Sequence, residues 1–226
     1  GTLNMLEAAR EAGVGRFVYI SSVAVYGDAS QNHDPVYEWV EKNPHNTYEI
    51  SKFATENLVG RYRELHGMNI CALRLGDVFG AWEYQTGARD TLSAPYQCLK
   101  AALRGESVVL AKEACTGWVY AKDCGLAVVA ALESNALKHF AYNCGSIYRW
   151  SIRQWCELLK RHYPGFDYAM GDFETASVRW ARDRCGCPTP EKRGRDHDSL
   201  AHLRPAPPRA TRLEASGAGT AWHPLR

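Results

Sequence analysis

Gly1–Ser22, GTLNMLEAAREAGVGRFVYISS, changes periodicity partway along. Leu3, Leu6 and Ala9 recur at helical spacing, Gly13 supplies a stop, and RFVYISS is a β-rich run that closes on two serines. The spacing predicts a helix followed by a buried strand. The pattern then repeats: from Asn46 to Leu65, apolar Ile50, Phe53, Leu58 and Leu65 keep a helical period up to Gly67, and MNICALRLG follows as a second strand. Helix, strand, helix, strand is the rhythm of an α/β protein with a parallel sheet.

Farther along, APYQCLKAALRG reads as a helix, SVVL, GWVYA and HFAYNCG as short strands, and DCGLAVVAALES as a helix with Asp123 as its N-cap. Ser151 and Gln154 form a capping box for a helix through IRQWCELLKRH, stopped by Pro164 and Gly165. After about Arg184 the composition shifts. The last 43 residues hold six of the ten prolines and seven arginines with almost no apolar periodicity, so residues 184–226 are expected to be disordered or out of frame.

With 226 residues, 46% of them hydrophobic, the chain is long enough for a sizeable core. No run of about 18 apolar residues occurs, and GTLNMLEAAR lacks the basic start and apolar stretch of a secretory leader, so a cytoplasmic protein with no membrane partner is expected. The net charge of +2 is carried by the tail, where 8 Lys/Arg face 4 Asp/Glu; residues 1–183 hold 19 against 21. That balance lacks the clustered basic stripe of a nucleic-acid surface. The eight cysteines (71, 98, 115, 124, 144, 156, 185 and 187) stand mostly alone in apolar segments and read as free thiols, and a lone C-x-C at 185–187 is no metal site.

Chemistry enters at TYEISK, Thr47–Lys52, where a tyrosine precedes a lysine by four residues. About half a chance match is expected in such a composition, and YQCLK, Tyr96–Lys100, is a second copy. What separates them is Ser22, at the end of the first strand and 26 residues before Tyr48; ligands of open α/β sheets sit at such strand ends. Residues four apart on a helix share a face, so the Lys52 ammonium can stand by the Tyr48 phenol. A free tyrosine titrates near about 10, and an adjacent cation lowers that by ~1 to 3 units. Ser22 can then orient a substrate oxygen while Tyr48 takes or gives its proton. The hydride that accompanies such a proton needs a cofactor, since no side chain accepts one.

The opening 27 residues, YEISK with FATENLV, LRLGDVFG, WVYAKDCGLAVVAAL and YNCGS…WSIRQWCELL resemble, in order and spacing, the blocks of the extended short-chain dehydrogenase/reductases, the NAD-dependent epimerase/dehydratases. The resemblance covers roughly residues 1–180 and implies the C-terminal part of a Rossmann-like doubly wound parallel sheet plus a small α/β substrate-binding region. It implies Ser22, Tyr48 and Lys52 as the catalytic triad, Lys52 also holding the nicotinamide ribose of NAD or NADP. Ile20 and the turn Leu75, Gly76 and Val78 would line the nicotinamide. Residues 1–80 would be the catalytic half of the Rossmann-like domain and 81–183 the remaining strands, helices and substrate-binding region.

Such a family member opens with a strand and a glycine-rich turn for the pyrophosphate. Here GVGRFV follows a helix and enters a strand, the reverse order, so about 100 residues of strand-helix units of ~30 each are expected to be missing and the chain alone to be inactive. A sheet cut there leaves an exposed edge. In the family's dehydratases an Asp-Glu pair follows the active-site hydroxyl; Val23 and Ala24 stand here, which disfavours elimination of water. Epimerases commonly carry asparagine at the place of Asp77 and arginine near Thr116; an aspartate would repel a substrate pyrophosphate. Arg89, in the loop AWEYQTGARDTLS, can grip a carboxylate or phosphate at two points.

The expected substrate-side residues are therefore Ser22, Val23, Ala24, Asp77 and Arg89. The expected activity is hydride and proton transfer at a secondary alcohol or ketone of a sugar-like or hydroxy-acid small molecule. The alternatives are a nucleotide-sugar epimerase and a non-catalytic dinucleotide-sensing regulator. Members of the family often pair as homodimers through the helices that bear the site.

Overall fold

Thr2–Glu11 forms the first helix, α1, of a computed structural model that describes residues 1–31, 35–84, 92–110, 115–135, 137–146, 148–171 and 179–180. The helix buries Leu6 and Ala9, and Gly13, at φ 62°, turns the chain into the strand β1, Phe17–Ser22. GVG is thus a helix exit, as its order in the sequence predicts. A 3-10 turn over Val23–Tyr26 follows, and the next helix, α2, spans Thr47–His66. Its start is fixed by a capping box: Glu49 N donates to Asn46 Oδ1 at 2.9 Å and Glu49 Oε2 accepts from Asn46 N at 3.3 Å. Gly67, at φ 63°, ends it in the left-handed conformation that glycine adopts without a Cβ clash.

Strand β2, Ile70–Leu75, pairs parallel with β1 from Phe17↔Ile70 to Ser22↔Leu75. Then come β3 (Val78–Phe79), α3 (Ala94–Leu103), β4 (Val108–Leu110), β5 (Cys115–Thr116), β6 (Val119–Tyr120) and α4 (Ala121–Glu133). They are followed by β7 (Ala141–Cys144), β8 (Trp150–Ser151), α5 (Ile152–His162), β9 (Tyr168–Met170) and β10 (Arg179–Trp180). The main sheet runs β1-β2-β7, all parallel, and so draws its third strand from beyond residue 80.

Helices cover both faces of that sheet. Leu6 of α1 and Val59 of α2 pack with Tyr19, Ile70, Ala72 and Ala141 on one side; Ala131 of α4, with Ala127 and Val128, packs with Val18, Cys71 and Leu73 on the other. Alternate residues of β2 therefore enter opposite cores, which is why ICALRL reads as a nearly unbroken apolar run. A second core joins α3 and α5 to β4 around Cys98, Ala101, Cys156, Leu159 and Phe166. Small side chains on α3 let α5 approach closely, and Trp155 Nε1 donates to Pro95 O at 2.9 Å. Trp118, Trp150 and Trp155 gather around Phe79 with ring centres 5.6–6.4 Å away, packing as the sequence suggested.

Two local expectations change. The N-cap of α4 is Tyr120, which has the extended backbone that position requires, and Asp123 lies inside the first turn, where the helix dipole favours an acid. On α2, Ile50, Leu58 and Leu65 are exposed, while Glu56 and Val59 are buried. The face turned to the sheet mixes apolar Val59 with polar Lys52 and Glu56, for reasons given below.

The excursion between Ser22 and α2 is tied at its base. Gly27 bridges Asn43, Asn43 N donates to Tyr26 O at 3.0 Å, and Gly27 sits at φ 53° with its α-carbon so close to the Asn43 carbonyl that any side chain would collide. Cys71, Cys98, Cys124 and Cys156 are buried free thiols and Cys144 is half-buried. Among the described residues no helix is long and apolar enough to cross a membrane. Arg89 and the tail from residue 184 lie outside the described residues.

Candidate active site

The C-terminal rim of the parallel sheet gathers most of the residues singled out above. Ser22 ends β1 with an extended backbone, and its Oγ accepts from Ala24 N at 3.2 Å, capping the 3-10 turn. Val23 and Ala24 are half-buried in that turn, with no group that titrates. Tyr48 occupies the first turn of α2 and is 55% exposed. Among the described residues no hydrogen bond engages its hydroxyl, Ser22 included.

Lys52, one turn later, reaches the strand. Its Nζ donates to Ile20 O at 3.1 Å, 5.7 Å from the Tyr19 ring centre and 6.0 Å from that of Tyr48. A cation at such a distance from an aromatic face is attracted by the ring quadrupole. Yet the Tyr96 and Lys100 pair on α3 has the same geometry, with Nζ 5.8 Å from the ring centre. Helical spacing produces this approach wherever the pair occurs. What distinguishes Lys52 is its anchor on the backbone of β1, two residues before Ser22. Burial pushes Lys100 below the ordinary lysine range, with the nearby Arg104 charge adding to it.

On the second strand, Leu75 lies opposite Ser22 and Gly76 N donates to Cys144 O at 2.9 Å. A Cβ on Gly76 would meet Gly145 Cα at 3.4 Å and Gly117 O at 3.5 Å, so this glycine serves close packing of three backbone segments. Val78 begins β3 and is half-buried. Asp77 is exposed; its Oδ2 accepts from Thr116 Oγ1 at 2.8 Å, and its carbonyl accepts from Val119 N at 2.8 Å. Asp77 and Thr116, the two positions the resemblance singled out, therefore satisfy each other. Among the described residues no group of three or more His, Cys, Asp and Glu is gathered to hold a metal ion.

Behind this rim lies a buried ionic pair that the sequence reading passed over. Arg74 of β2 and Glu56 of α2 meet at 2.6 Å with side chains 4% and 5% exposed. The signal was present: an arginine inside the apolar run ICALRL demands a buried anion, and Glu56 follows Lys52 by one turn. Tyr26 donates from its hydroxyl to Asn143 Oδ1 at 2.8 Å, and burial raises its pKa against the opposing charge of Arg74. Burial also raises Tyr19, against the opposing effect of a hydrogen bond with Thr55.

Known proteins share the fold that carries this rim. A putative UDP-glucose 4-epimerase of Methanocaldococcus jannaschii is 28% identical over 169 residues, 74% of this chain and 52% of the relative. Among solved structures, a UDP-N-acetylglucosamine 4-epimerase of Methanobrevibacter ruminantium M1, in complex with UDP-N-acetylmuramic acid, superposes with a TM-score of 0.68 at 22% identity, covering 79% of this chain and 56% of that one. An L-threonine dehydrogenase of Cupriavidus necator gives 0.65 at 24% identity, covering 76% and 62%. These two likenesses show the Rossmann-type fold, and the chain spans about half the length of the M. jannaschii relative. The model of the NAD dependent epimerase/dehydratase family matches residues 1–145, and the chain belongs to that family.

Proposed function

We propose that this chain is the catalytic half of an NAD(P)-dependent oxidoreductase or epimerase acting at a secondary alcohol or ketone of a sugar-like or hydroxy-acid substrate. The observation that carries the reading is the Lys52 ammonium, held on the Ile20 carbonyl and facing the Tyr48 ring at the sheet rim where Ser22 stands. Tyr48 takes the proton from the substrate hydroxyl, or returns it to the carbonyl oxygen. Ser22 orients that oxygen by hydrogen bonding, and the Lys52 ammonium stands beside the phenol ring. The nicotinamide, when bound, supplies the hydride acceptor and donor.

The residues present fit such a cofactor. Ile20 lies in the middle of the site strand yet is 37% exposed, which leaves apolar surface open beside Lys52. Lys52 and Tyr48 would hold the ribose end, and Ile20, Leu75, Gly76 and Val78 would line the ring. Residues 1–80 would carry the chemistry and 81–183 most of the substrate contacts, Arg89 among them. Val23 and Ala24 leave elimination of water without a proton donor, which speaks against a dehydratase.

A nucleotide-sugar epimerase is the second reading, favoured by the relatives, among which are a putative UDP-glucose 4-epimerase of M. jannaschii and a UDP-glucose 4-epimerase of Streptomyces lividans. The Asp77 carboxylate, exposed at the rim, argues for a substrate without a pyrophosphate at that place. The apolar residues Ile50, Leu58 and Leu65 exposed on α2 support pairing with a second copy of the chain.

The test joins this chain to a strand-turn-helix dinucleotide-binding half and follows nicotinamide absorbance with a panel of secondary alcohols and nucleotide sugars. Turnover that Tyr48→Phe abolishes, with cofactor affinity retained, supports the proposal. Unchanged turnover in that variant overturns it. Taken alone, the chain is expected to be inactive and to bind dinucleotide weakly, and tight NAD(H) binding in calorimetry would refute that expectation.

A further inference from the structure

Tyr48, Lys52 and Glu56 follow one another at single turns of α2, and exposure falls along the row, from 55% at Tyr48 to a buried Glu56. Lys52 holds the carbonyl of Ile20. One turn deeper, Glu56 Oε2 accepts from Ser21 Oγ at 2.7 Å. Consecutive turns of the helix thus grip consecutive residues of β1, the two that immediately precede Ser22.

The rest of the Glu56 carboxylate faces Arg74, the register partner of Ser21 on β2. Arg74 Nη2 donates to Oε1 at 2.6 Å and Nε to Oε2 at 3.0 Å, a two-point contact. Arg74 Nη1 donates onward to Tyr26 Oη at 2.6 Å and to Glu38 O at 3.1 Å, and Tyr26 in turn donates to Asn143 on β7. One carboxylate therefore connects the helix that bears Tyr48 to both strands at the rim and, through Arg74, to the turn that follows Ser22.

Stability does not account for this choice. A buried ion pair is often matched or exceeded by apolar side chains of equal volume, because both charges must leave water. Apolar packing, however, leaves a helix free to slide or rotate slightly on a sheet, whereas hydrogen bonds to named atoms fix its register. We propose that Glu56 is a positioning residue: by holding Ser21 and Arg74 it sets the register of α2 on β1 and so fixes where the Tyr48 phenol stands relative to Ser22. The proposal rests on the functional reading above, in which Tyr48 and Ser22 act on one substrate oxygen.

The test uses the full-length protein, with kcat expressed per folded molecule and three variants beside Tyr48→Phe. Glu56→Gln keeps the side chain's shape while removing its charge and one acceptor. It is expected to lower kcat by about tenfold or more, since small misplacement of reacting groups is costly, and to move KM by less than about twofold. Ser21→Ala is expected to lower kcat in the same way, and Ser21→Thr, which returns the hydroxyl, to restore it. A purely structural role would reduce the folded fraction and leave kcat per folded molecule unchanged.

If Glu56→Gln does not fold, the Ser21 pair decides. Wild-type kcat in Ser21→Ala, or a loss that Ser21→Thr fails to restore, overturns the proposal while an inactive Tyr48→Phe leaves the functional reading standing. An active Tyr48→Phe overturns both.

Discussion

Lys52 Nζ lies 3.1 Å from the Ile20 carbonyl oxygen and 6.0 Å from the centre of the Tyr48 ring, so one ammonium group fastens the helix to the strand and charges the phenol's surroundings. Lys52→Met keeps the aliphatic stem and removes every donor. In the full-length protein it is expected to lower turnover by about 10²-fold or more, with weaker cofactor binding, measured by steady-state kinetics and fluorescence titration.

Lys100→Met is the matched control. Its ammonium approaches Tyr96 in the same way but has no rim strand behind it, and it is expected to leave turnover within about twofold of wild type. An equal loss in both variants would remove the strand anchor as the distinguishing feature.

Arg74→Ala leaves the Glu56 carboxylate buried and without its cation. The expected destabilisation is ~3–5 kcal/mol in urea unfolding. The double substitution Glu56→Leu with Arg74→Met is expected to recover most of it, because no uncompensated charge then remains inside.

Ser151 is fully buried and caps α5 through Gln154 N at 3.2 Å, while Gln154 Oε1 accepts from Ser151 N at 2.8 Å. Ser151→Ala is expected to cost about 1 kcal/mol by thermal or urea unfolding, the ordinary worth of a lost cap. Retention of full stability would mean that the Gln154 half of the box suffices.

Alkali is expected to weaken the fold. Burial, aided by the neighbouring Cys144, pushes the Cys124 thiol up to about 12, from an ordinary value of 9.0. Between those values the folded state keeps a proton that the unfolded state has released, so the contribution is complete below about pH 9 and is lost as pH rises toward about 12. Burial raises Cys71 as well. Urea midpoints measured from pH 8 to 11 should fall, and Cys124→Ala should flatten the decline.

The larger architecture was readable in the chain because its signals are local. Gly13 and Gly67 stop helices, Asn46 with Glu49 and Ser151 with Gln154 start them, and alternate burial on two faces makes β2 a continuous apolar run. The rim placement of Ser22, Tyr48 and Lys52 was readable because they lie on elements with such signals. What escaped was long-range compensation. Glu56 looks like a solvated helix residue until Arg74, 18 positions away and on another element, is known to point at it. Likewise, Ile50, Leu58 and Leu65 keep a helical period but face outward, because the sheet-side face of α2 is set by Lys52, Glu56 and Val59. Periodicity reports that a helix has an apolar face, and it does not report what that face touches.

The tie between Gly27 and Asn43 alters how the separation of Ser22 and Tyr48 should be thought of. Counted along the backbone they are 26 residues apart, but mechanically they are joined by two short arms, 22–27 and 43–48, that meet at a knot. The intervening segment returns to the sheet, where Glu38 O accepts from Arg74 Nη1 at 3.1 Å and Val36 O from Asn143 Nδ2 at 2.8 Å. A substitution at Val36 or Glu38 is consequently felt at Arg74 and Asn143, while the crossing at Gly27 and Asn43 still pins the two arms.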